Sequence, residues 1–263
     1  MYSIEHKNYL KKIKRHKIFV FSMQILILVL FIFIWQFSAS KGLINTFISS
    51  SPKRVLESII GLYNSNNLFN HIWVTIYETI VSFSLGTFIG LIIATILWWN
   101  KSLAEILDPY LTILNSLPKV ALGPIIIIWV GAKISSIIIM ALLISVIVAI
   151  INIYEGFINT DVLKINMLKS FGASKIDLFT KLVLPNSLPN IMNVIKVNIS
   201  MSLIGVIMGE FLVSKEGIGY LITYGSQVFN LDLVMAGIFI LCILATIMYY
   251  LVNFISKKII KNK

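Results

Sequence analysis

Long apolar runs dominate the chain and decide the class of fold that it can adopt. An α-helix needs about 20 apolar residues to cross a bilayer core about 30 Å thick. Runs of that length without any charged residue occupy 18–37, 134–153 and 233–255. Three further runs contain one or two charges each, and they occupy 72–98, 111–131 and 191–213. Because spanning segments must pair their own backbone groups, and because these runs do not alternate like barrel strands, the sequence predicts an all-α integral membrane protein with six transmembrane helices.

Composition excludes the other common classes of protein. Hydrophobic residue types make up 58% of the chain and charged types only 13%, whereas soluble domains have about 45–50% and about 25%. A single cysteine, Cys242, excludes an intrachain disulfide scaffold. The first run is longer than the apolar part of a secretory signal, which has about 7–15 residues, so we interpret it as a retained helix.

The basic residues are unevenly distributed between the two sides of the predicted bundle. With the N-terminus inside, the inner segments hold fifteen of the 22 Lys and Arg residues and the outer segments hold five. This asymmetry predicts a bundle at 18–256 with cytoplasmic tails at 1–17 and 257–263. The net charge of +11 is then an orientation signal that contacts anionic lipid, and it requires no nucleic-acid partner.

The cytoplasmic loop at 154–190 is patterned like a folded element. Val162, Ile165 and Leu168 recur at three-residue spacing, which predicts a short amphipathic helix. Gly172 follows them and permits the left-handed conformation that ends a helix. The loop therefore begins as a helix followed by a sharp turn. We call the segment 161–182, which holds this turn and the short helices on either side of it, the elbow.

A second short helix is predicted after the turn at Gly172. Residues 174–177 read Ser-Lys-Ile-Asp, the form of a capping box, and a further apolar stripe follows. Pro185 and Pro189 are expected to end this helix before the fifth span. The apolar stripes predict contact with the inner ends of the spans, with the lipid interface or with a groove of another protein.

Residues inside the imperfect spans are candidates for a transport pathway. Pro118 and Pro124 interrupt the third span beside Lys119, and broken helices in transporters line substrate routes. Glu210 lies near the end of the fifth span, where an acid faces a pathway, a gate or merely the interface. Glu78 is a similar but weaker candidate. Small residues four apart, at 86 and 90 and at 205 and 209, predict close helix packing within the chain or between two copies.

The cytoplasmic loop resembles the signature of permease subunits of ATP-binding-cassette (ABC) importers. That signature is Glu-Ala-Ala, three residues, Gly, nine residues and Ile-x-Leu-Pro. Here Gly172 is followed after nine residues by Leu-Val-Leu-Pro at 182–185, while Asn-Met-Leu at 166–168 replaces Glu-Ala-Ala. The replacement removes the acid that could form an ion pair with the ATPase at that place.

Further features, spread over about 50–240, resemble the nitrate, sulfonate and taurine branch of these permeases. They are Ser51-Pro52, His71 with Thr75, Gly86 and Gly90, Asp108-Pro109, residues 117–124, Trp129 with Gly131, and Gly209-Glu210 with Gly217-Ile218-Gly219.

The resemblance implies the type I ABC importer permease fold in a bacterial plasma membrane. It also implies two copies of the chain with two cytoplasmic ATPases, which bind ATP and Mg, and an extracytoplasmic solute-binding protein. The solute would be a sulfonate, taurine, nitrate or a vitamin precursor. No phosphate-binding loop, catalytic constellation or metal-ligand spacing is present, so this chain is not expected to be an enzyme or to bind a cofactor.

The residue patterns and the resemblance together assign residues to two sites. The residues that couple to the ATPase are Asn166, Leu168, Phe171, Gly172, Ala173, Ser174, Asp177, Leu184 and Pro185. The residues of the translocation path or its gate are Pro118, Lys119, Pro124, Glu210, Gly217 and Gly219. The alternative is a secondary transporter or channel, which would favour more buried charge and an inverted repeat.

Overall fold

The computed structural model describes residues 4–65 and 67–261, and within these ranges the regular structure is entirely helical. The α-helices are α1 Ile4–Ser40, α2 Thr46–Ser49, α3 Pro52–Asn64, α4 Leu68–Trp99, α5 Lys101–Ser116, α6 Gly123–Val130, α7 Ile134–Ile158, α8 Val162–Ser170, α9 Lys175–Leu178, α10 Leu184–Val213, α11 Ile218–Gln227 and α12 Leu231–Lys261. A 3-10 turn at Lys119–Leu122 precedes α6, and a π-helical turn at Phe179–Val183 joins α9 to α10.

Five helical segments in the described part of the chain are long and apolar enough to cross a membrane. They are Lys11–Ser40, Leu68–Trp99, Ile134–Ile158, Lys175–Val213 and Leu231–Lys258. A sixth crossing is possible only if the bent pair formed by α5 and α6 counts as one span. The prediction of an all-helical membrane protein is confirmed, with five to six candidate spans.

The third predicted span, 111–131, is interrupted at Pro118 as expected, and the break is sharper than a kink within one helix. α5 and the following segment meet at an angle of 86°. Pro118 disfavours helical backbone in the residue before it, and Leu117 accordingly lies in the extended region, with φ −64° and ψ 140°. Pro124 does not kink a helix either, because it lies in the first turn of α6, where a missing N–H costs nothing.

Helix α7 packs between α4 and α10, and these three helices form the centre of the chain. The small residues predicted to permit close packing lie at these two contacts. A methyl group at Gly205 would overlap the backbone of Ala141, and one at Gly209 would lie 2.8 Å from a side-chain carbon of Ile137. Gly86 and Gly90 approach α7 in the same way, so all four glycines pack helices within one chain.

Helix α1 lies at the periphery of this centre, and its apolar side chains are mostly exposed. Its few contacts are near its C-terminal end, where Trp35 stacks on Phe239 with ring centroids 5.9 Å apart. The Gln36 side-chain oxygen also accepts a hydrogen bond from the Lys53 N–H, at 3.1 Å. Lipid is the natural neighbour for the remaining surface of α1.

A partly buried ion pair fixes the segment between α1 and α4 to the start of α12. Asp232 accepts hydrogen bonds from the Ser50 hydroxyl at 2.6 Å and from Arg54 Nε at 3.0 Å, and Arg54 Nη2 lies 2.7 Å from the same carboxylate. Asp232 lies 182 positions after Ser50 and 178 after Arg54, and no local pattern marks it as their partner.

Candidate functional site

The elbow is built by two local motifs that follow each other directly. At the end of α8 the Ala173 N–H bonds to the Leu168 carbonyl at 3.1 Å and the Gly172 N–H to the Lys169 carbonyl at 2.9 Å, which is the Schellman arrangement. Gly172 has φ +81° and has open space where a side chain would begin. The turn therefore requires glycine for its backbone angle and not for packing.

The predicted capping box then opens α9. The Ser174 hydroxyl accepts from the Asp177 N–H and the Asp177 carboxylate accepts from the Ser174 N–H, both at 3.2 Å. Lys181 pairs with the same carboxylate. The hydrogen bond from Lys181 and the two from Ser174 lower the pKa of Asp177 to about 2. The acid therefore stays ionised across the physiological pH range and keeps the box closed.

The second elbow helix does not end at Pro185, which corrects the expectation from the sequence. Helical backbone runs from Lys175 to Val213, 39 residues, or about 58 Å, so its first turns lie outside a bilayer core about 30 Å thick. The Leu184 N–H bonds to the Phe179 carbonyl five residues back. This wider turn accommodates Pro185, which has no N–H to donate. Pro189 lies inside α10.

Aromatic side chains fix the elbow to the C-terminal ends of two central helices, α4 and α7. Phe179 packs against Trp98 at 5.0 Å and against the fully buried Phe157 at 5.4 Å between ring centroids. The Lys175 ammonium donates to the Trp99 carbonyl at 2.5 Å and lies 5.7 Å from the Trp99 ring centroid. No local sequence pattern marks this cluster, because its members come from α4, α7, α9 and the π-helical turn that follows α9.

The apolar stripes predicted for the elbow helices are buried or half-buried except at Val162 and Ile176; in the second stripe, Phe179 and Leu182 are half-buried and Val183 is buried. Ile165 and Leu168 are half-buried, but Val162 is exposed. Leu163, Met167, Phe171 and Ile176 are also exposed, and Phe171 is 81% exposed. The elbow therefore presents exposed apolar side chains on a backbone whose other side is packed against α4 and α7. We call Leu163, Met167, Phe171 and Ile176 the elbow knob.

The structure places the predicted coupling residues along this segment. Asn166 and Leu168 lie on α8, Phe171 to Ser174 in the turn, Asp177 on α9, and Leu184 with Pro185 in the first turn of α10. Asn166, at the position where the signature has its acidic residue, is exposed.

At the opposite end of the bundle, Glu210 is the centre of a buried hydrogen-bond network. The Thr75 hydroxyl donates to one carboxylate oxygen of Glu210 at 2.6 Å, and the Gly219 N–H donates to the other at 2.5 Å. The Ile218 N–H donates to Thr75 Oγ1 at 2.9 Å, and the Gly217 N–H donates to His71 Nδ1 at 3.0 Å. We call these residues the outer network, and it joins α4, α10 and the start of α11.

The two glycines beside Glu210 are required by the same geometry. Gly217 has φ +101°, and a side chain there would overlap the Glu210 carboxylate. A methyl group at Gly219 would lie 2.7 Å from Glu210 Oε2 and 2.8 Å from its Cβ. The backbone of 217–219 thus wraps around the carboxylate closely enough to donate to it directly.

The remaining predicted pathway residues lie apart from the outer network. Lys119 donates to the Asn115 carbonyl at 2.7 Å and so caps the end of α5, the position where a positive charge complements the helix dipole. Pro118 begins the turn before α6, and Pro124 lies in the first turn of α6. The structure brings Glu210, Gly217 and Gly219 together, but it does not bring these three residues to them.

Comparison with known proteins identifies the family. The model of the family described as binding-protein-dependent transport system inner membrane component matches residues 86–261. The chain belongs to this family. The matched range of the permease includes α4 from Gly86 onward, all of α7 and α10, and the elbow. It also includes Glu210, Gly217 and Gly219 of the outer network. The identification as an ABC importer permease, made from the spacing around Gly172, is confirmed.

Three curated relatives show how far the similarity extends. The permease is 29% identical over 236 residues to a probable ABC transporter permease protein of Haemophilus influenzae, covering 90% of this chain and 96% of the relative. It is 27% identical to the putative aliphatic sulfonates transport permease protein SsuC of Bacillus subtilis, covering 87% and 83% of the two chains. It is 28% identical to the formylaminopyrimidine transport permease protein ThiX of Halalkalibacterium halodurans, covering 80% and 84%.

A solved structure supports the fold. The permease superposes with a TM-score of 0.66 on a chain of a bacterial ABC transporter involved in the import of the acidic polysaccharide alginate. The match covers 96% of this chain and 99% of the other at 14% identity. The protein is a multi-pass inner membrane subunit of a binding-protein-dependent ABC importer. It has no ATPase activity of its own and works in a complex with ATPase subunits and a binding protein.

Proposed function

We propose that the elbow knob docks on a cytoplasmic ATPase subunit and carries its motion into the spans. The observation that supports this role is a set of exposed apolar side chains on a backbone fixed by two capping motifs and an aromatic cluster. An element that is already ordered loses less conformational entropy when it binds. Asn166, Leu168, Phe171, Gly172, Ala173, Ser174 and Asp177 would shape this surface, and Leu184 with Pro185 would connect it to α10.

Motion at the elbow would reach the centre of the bundle through direct contacts. The Ser187 hydroxyl donates to the Gly156 carbonyl and the Asn190 amide to the Asn152 carbonyl, both at 2.8 Å. With Phe179 packed on Phe157, these bonds couple the first part of α10 to the end of α7. ATP can drive the change only if the ATPases hold the elbow differently in the two states.

The outer network would act as the gate in an alternating-access cycle. Glu210, Gly217 and Gly219 hold α10 and the start of α11 together, while Thr75 and His71 add α4. Opening would break the bonds that Thr75 and Gly219 donate to the buried Glu210 carboxylate, and the docked binding protein would then release its solute into the path. Pro118, Lys119 and Pro124 would contribute through the position of α6, which reaches α10 where Gly123 lies near Leu212.

The assembly would contain two copies of the permease and two ATPases, with both termini in the cytoplasm. The distribution of basic residues supports this orientation. The exposed apolar side chains of α5 and α6 support a second copy as a neighbour, since Tyr110 is 61% exposed and Ile128 and Trp129 are each 80% exposed. In this arrangement 18–256 forms the membrane domain and 1–17 and 257–263 are cytoplasmic.

The imported solute would be a small compound of the kind for which its relatives are named. One relative is named for aliphatic sulfonates and another for formylaminopyrimidine. Both names fit the expectation of a sulfonate, taurine, nitrate or vitamin precursor that the sequence resemblance implies.

Replacing Gly172 by Asp tests the coupling role of the elbow. The substitution strains a backbone at φ +81° and places a charge in the turn. We expect normal membrane insertion but loss of ATPase association and of hydrolysis stimulated by the loaded binding protein, both measured on the purified complex in nanodiscs.

The matched control is Gly42→Asp. Gly42 has φ +69° and equally open space, but it lies between α1 and α2 at the other end of the bundle. It should retain ATPase binding. Full solute uptake by the Gly172→Asp variant would remove the elbow from the mechanism.

A further inference from the structure

A cavity of about 400 Å³ lies beside the outer network, between α4, the turn that joins α6 to α7, and the segment after α10. Its lining includes Val74 and Glu78 from α4, Lys133 from the turn, and Lys215 with Glu216 after α10. This volume is within the range of small-molecule sites, about 300–1,000 Å³. The cavity is therefore large enough for a compact organic solute.

Glu78 is the only residue of this lining that combines a charged group with full burial in the described chain. Its exposed fraction is 0%, and neither carboxyl oxygen has a hydrogen-bond partner among the residues that the structure describes. A buried carboxyl without partners costs several kcal/mol unless a ligand or a proton supplies them. Glu210, by contrast, has a donor on each oxygen.

The charges of the lining are arranged by depth. Glu78 lies at the buried end, whereas Lys133, Lys215 and Glu216 are exposed at the mouth. A solute that enters with a positive, hydrogen-bond-donating group would supply the partners that Glu78 lacks. An acidic group on the same solute would remain at the mouth beside the two lysines.

We propose that Glu78 is a solute-contacting residue, which receives an amino or ammonium group of the imported compound in this cavity. The proposal rests on the import function, and it narrows the solute to amino-bearing, including zwitterionic, compounds. The competing arrangement is internal. In that arrangement Glu78 would keep its own proton and share it with the Glu210 carboxylate, so it would be neutral and contact no ligand.

Charge-selective thiol labelling separates the two arrangements. The chain has one cysteine, so Cys242→Ser gives a cysteine-free background. Val74→Cys then places a thiol four residues before Glu78, on the same face of α4 and in the lining of the cavity. The probes are 2-aminoethyl and 2-sulfonatoethyl methanethiosulfonate, which are similar in size and opposite in charge, applied from the outside to the full chain in proteoliposomes.

We expect the cationic reagent to react faster, and Glu78→Gln to lower the ratio of the two rates about five- to tenfold, as one nearby charge at intermediate dielectric would do. Glu78→Asp keeps the charge and should keep the ratio. Ethylammonium chloride should slow labelling in the Glu78 protein but not in the Glu78→Gln variant, while sodium ethanesulfonate at the same ionic strength should slow neither.

Ser65→Cys in the turn after α3 is the control for accessibility and orientation, and its rate ratio should not respond to Glu78→Gln. A ratio at Val74→Cys that is unchanged by Glu78→Gln would overturn the proposal, because Glu78 would then be neutral beside Glu210. Labelling of Ser65→Cys without any labelling of Val74→Cys, or absence of protection by ethylammonium, would overturn it too. Labelling requires no ATPase, so these results are independent of the test at Gly172.

Discussion

Truncation of Phe171 tests the proposed contribution of the elbow knob to ATPase binding. The side chain is 81% exposed in the permease alone, so Phe171→Ala should change the free energy of unfolding by no more than about 0.5 kcal/mol. Complete burial of a phenylalanine side chain in a groove is worth about 1.5–3 kcal/mol. Loss of about 2 kcal/mol corresponds to an increase in Kd of about 30-fold.

The assay is titration of the purified ATPase onto the permease in nanodiscs, with hydrolysis stimulated by the loaded binding protein as a second readout. Phe229→Ala is a matched control, because Phe229 is 74% exposed but lies between α11 and α12 at the opposite end of the bundle. Equal ATPase affinity in the two variants would refute docking through the elbow knob. A loss of permease folding in Phe171→Ala would contradict the exposure on which the magnitude is based.

Two predictions concern the stability of the bundle. Gly205→Ala should destabilise the permease by about 1–3 kcal/mol, since the added methyl group meets the backbone of Ala141, which cannot rotate away. The control Gly61→Ala, in open space on α3, should be neutral or slightly stabilising. Thermal unfolding in detergent compares the two variants. Asp232→Asn should cost about 1–3 kcal/mol and loosen the segment around Arg54, since it removes the charge from a partly buried ion pair. Faster proteolysis between α1 and α4 would report this change, and an unchanged cleavage rate would contradict it.

Local signals in the sequence predicted local geometry well. The turn at Gly172 follows from a helix end that needs a positive φ, and the capping box follows from two side chains three residues apart. Both motifs are completed within six residues, so no knowledge of the remaining chain was necessary. The same reasoning failed at Pro185, because a proline can be accommodated by a wider helical turn as well as by a helix end, and the sequence does not distinguish the two outcomes.

Contacts between distant segments could be predicted only in part. The family resemblance named His71, Thr75, Glu210 and Gly217–Gly219 as separate features, and the structure joins them in one network. Their proximity depends on the packing of α4 and α10 against each other, which periodicity does not determine. Glu78 and Glu210 illustrate the limit, because both are buried acids in spans. Only the structure reveals that each carboxyl oxygen of Glu210 accepts a hydrogen bond and that neither oxygen of Glu78 has a partner among the described residues.

The path proposed from the ATPase surface to the gate would need few intermediates, because one helical segment carries parts of both proposed sites. The segment Lys175–Val213 begins in the elbow, where Lys175 is bonded to the end of α4, and nearly ends at Glu210. Its π-turn lies beside the aromatic cluster and is the one place where its hydrogen-bond register changes. A tilt of the elbow would therefore either bend this turn or move α10 as a unit. In the second case it would shift the Glu210 carboxylate against the Thr75 hydroxyl, whose 2.6 Å bond tolerates little displacement.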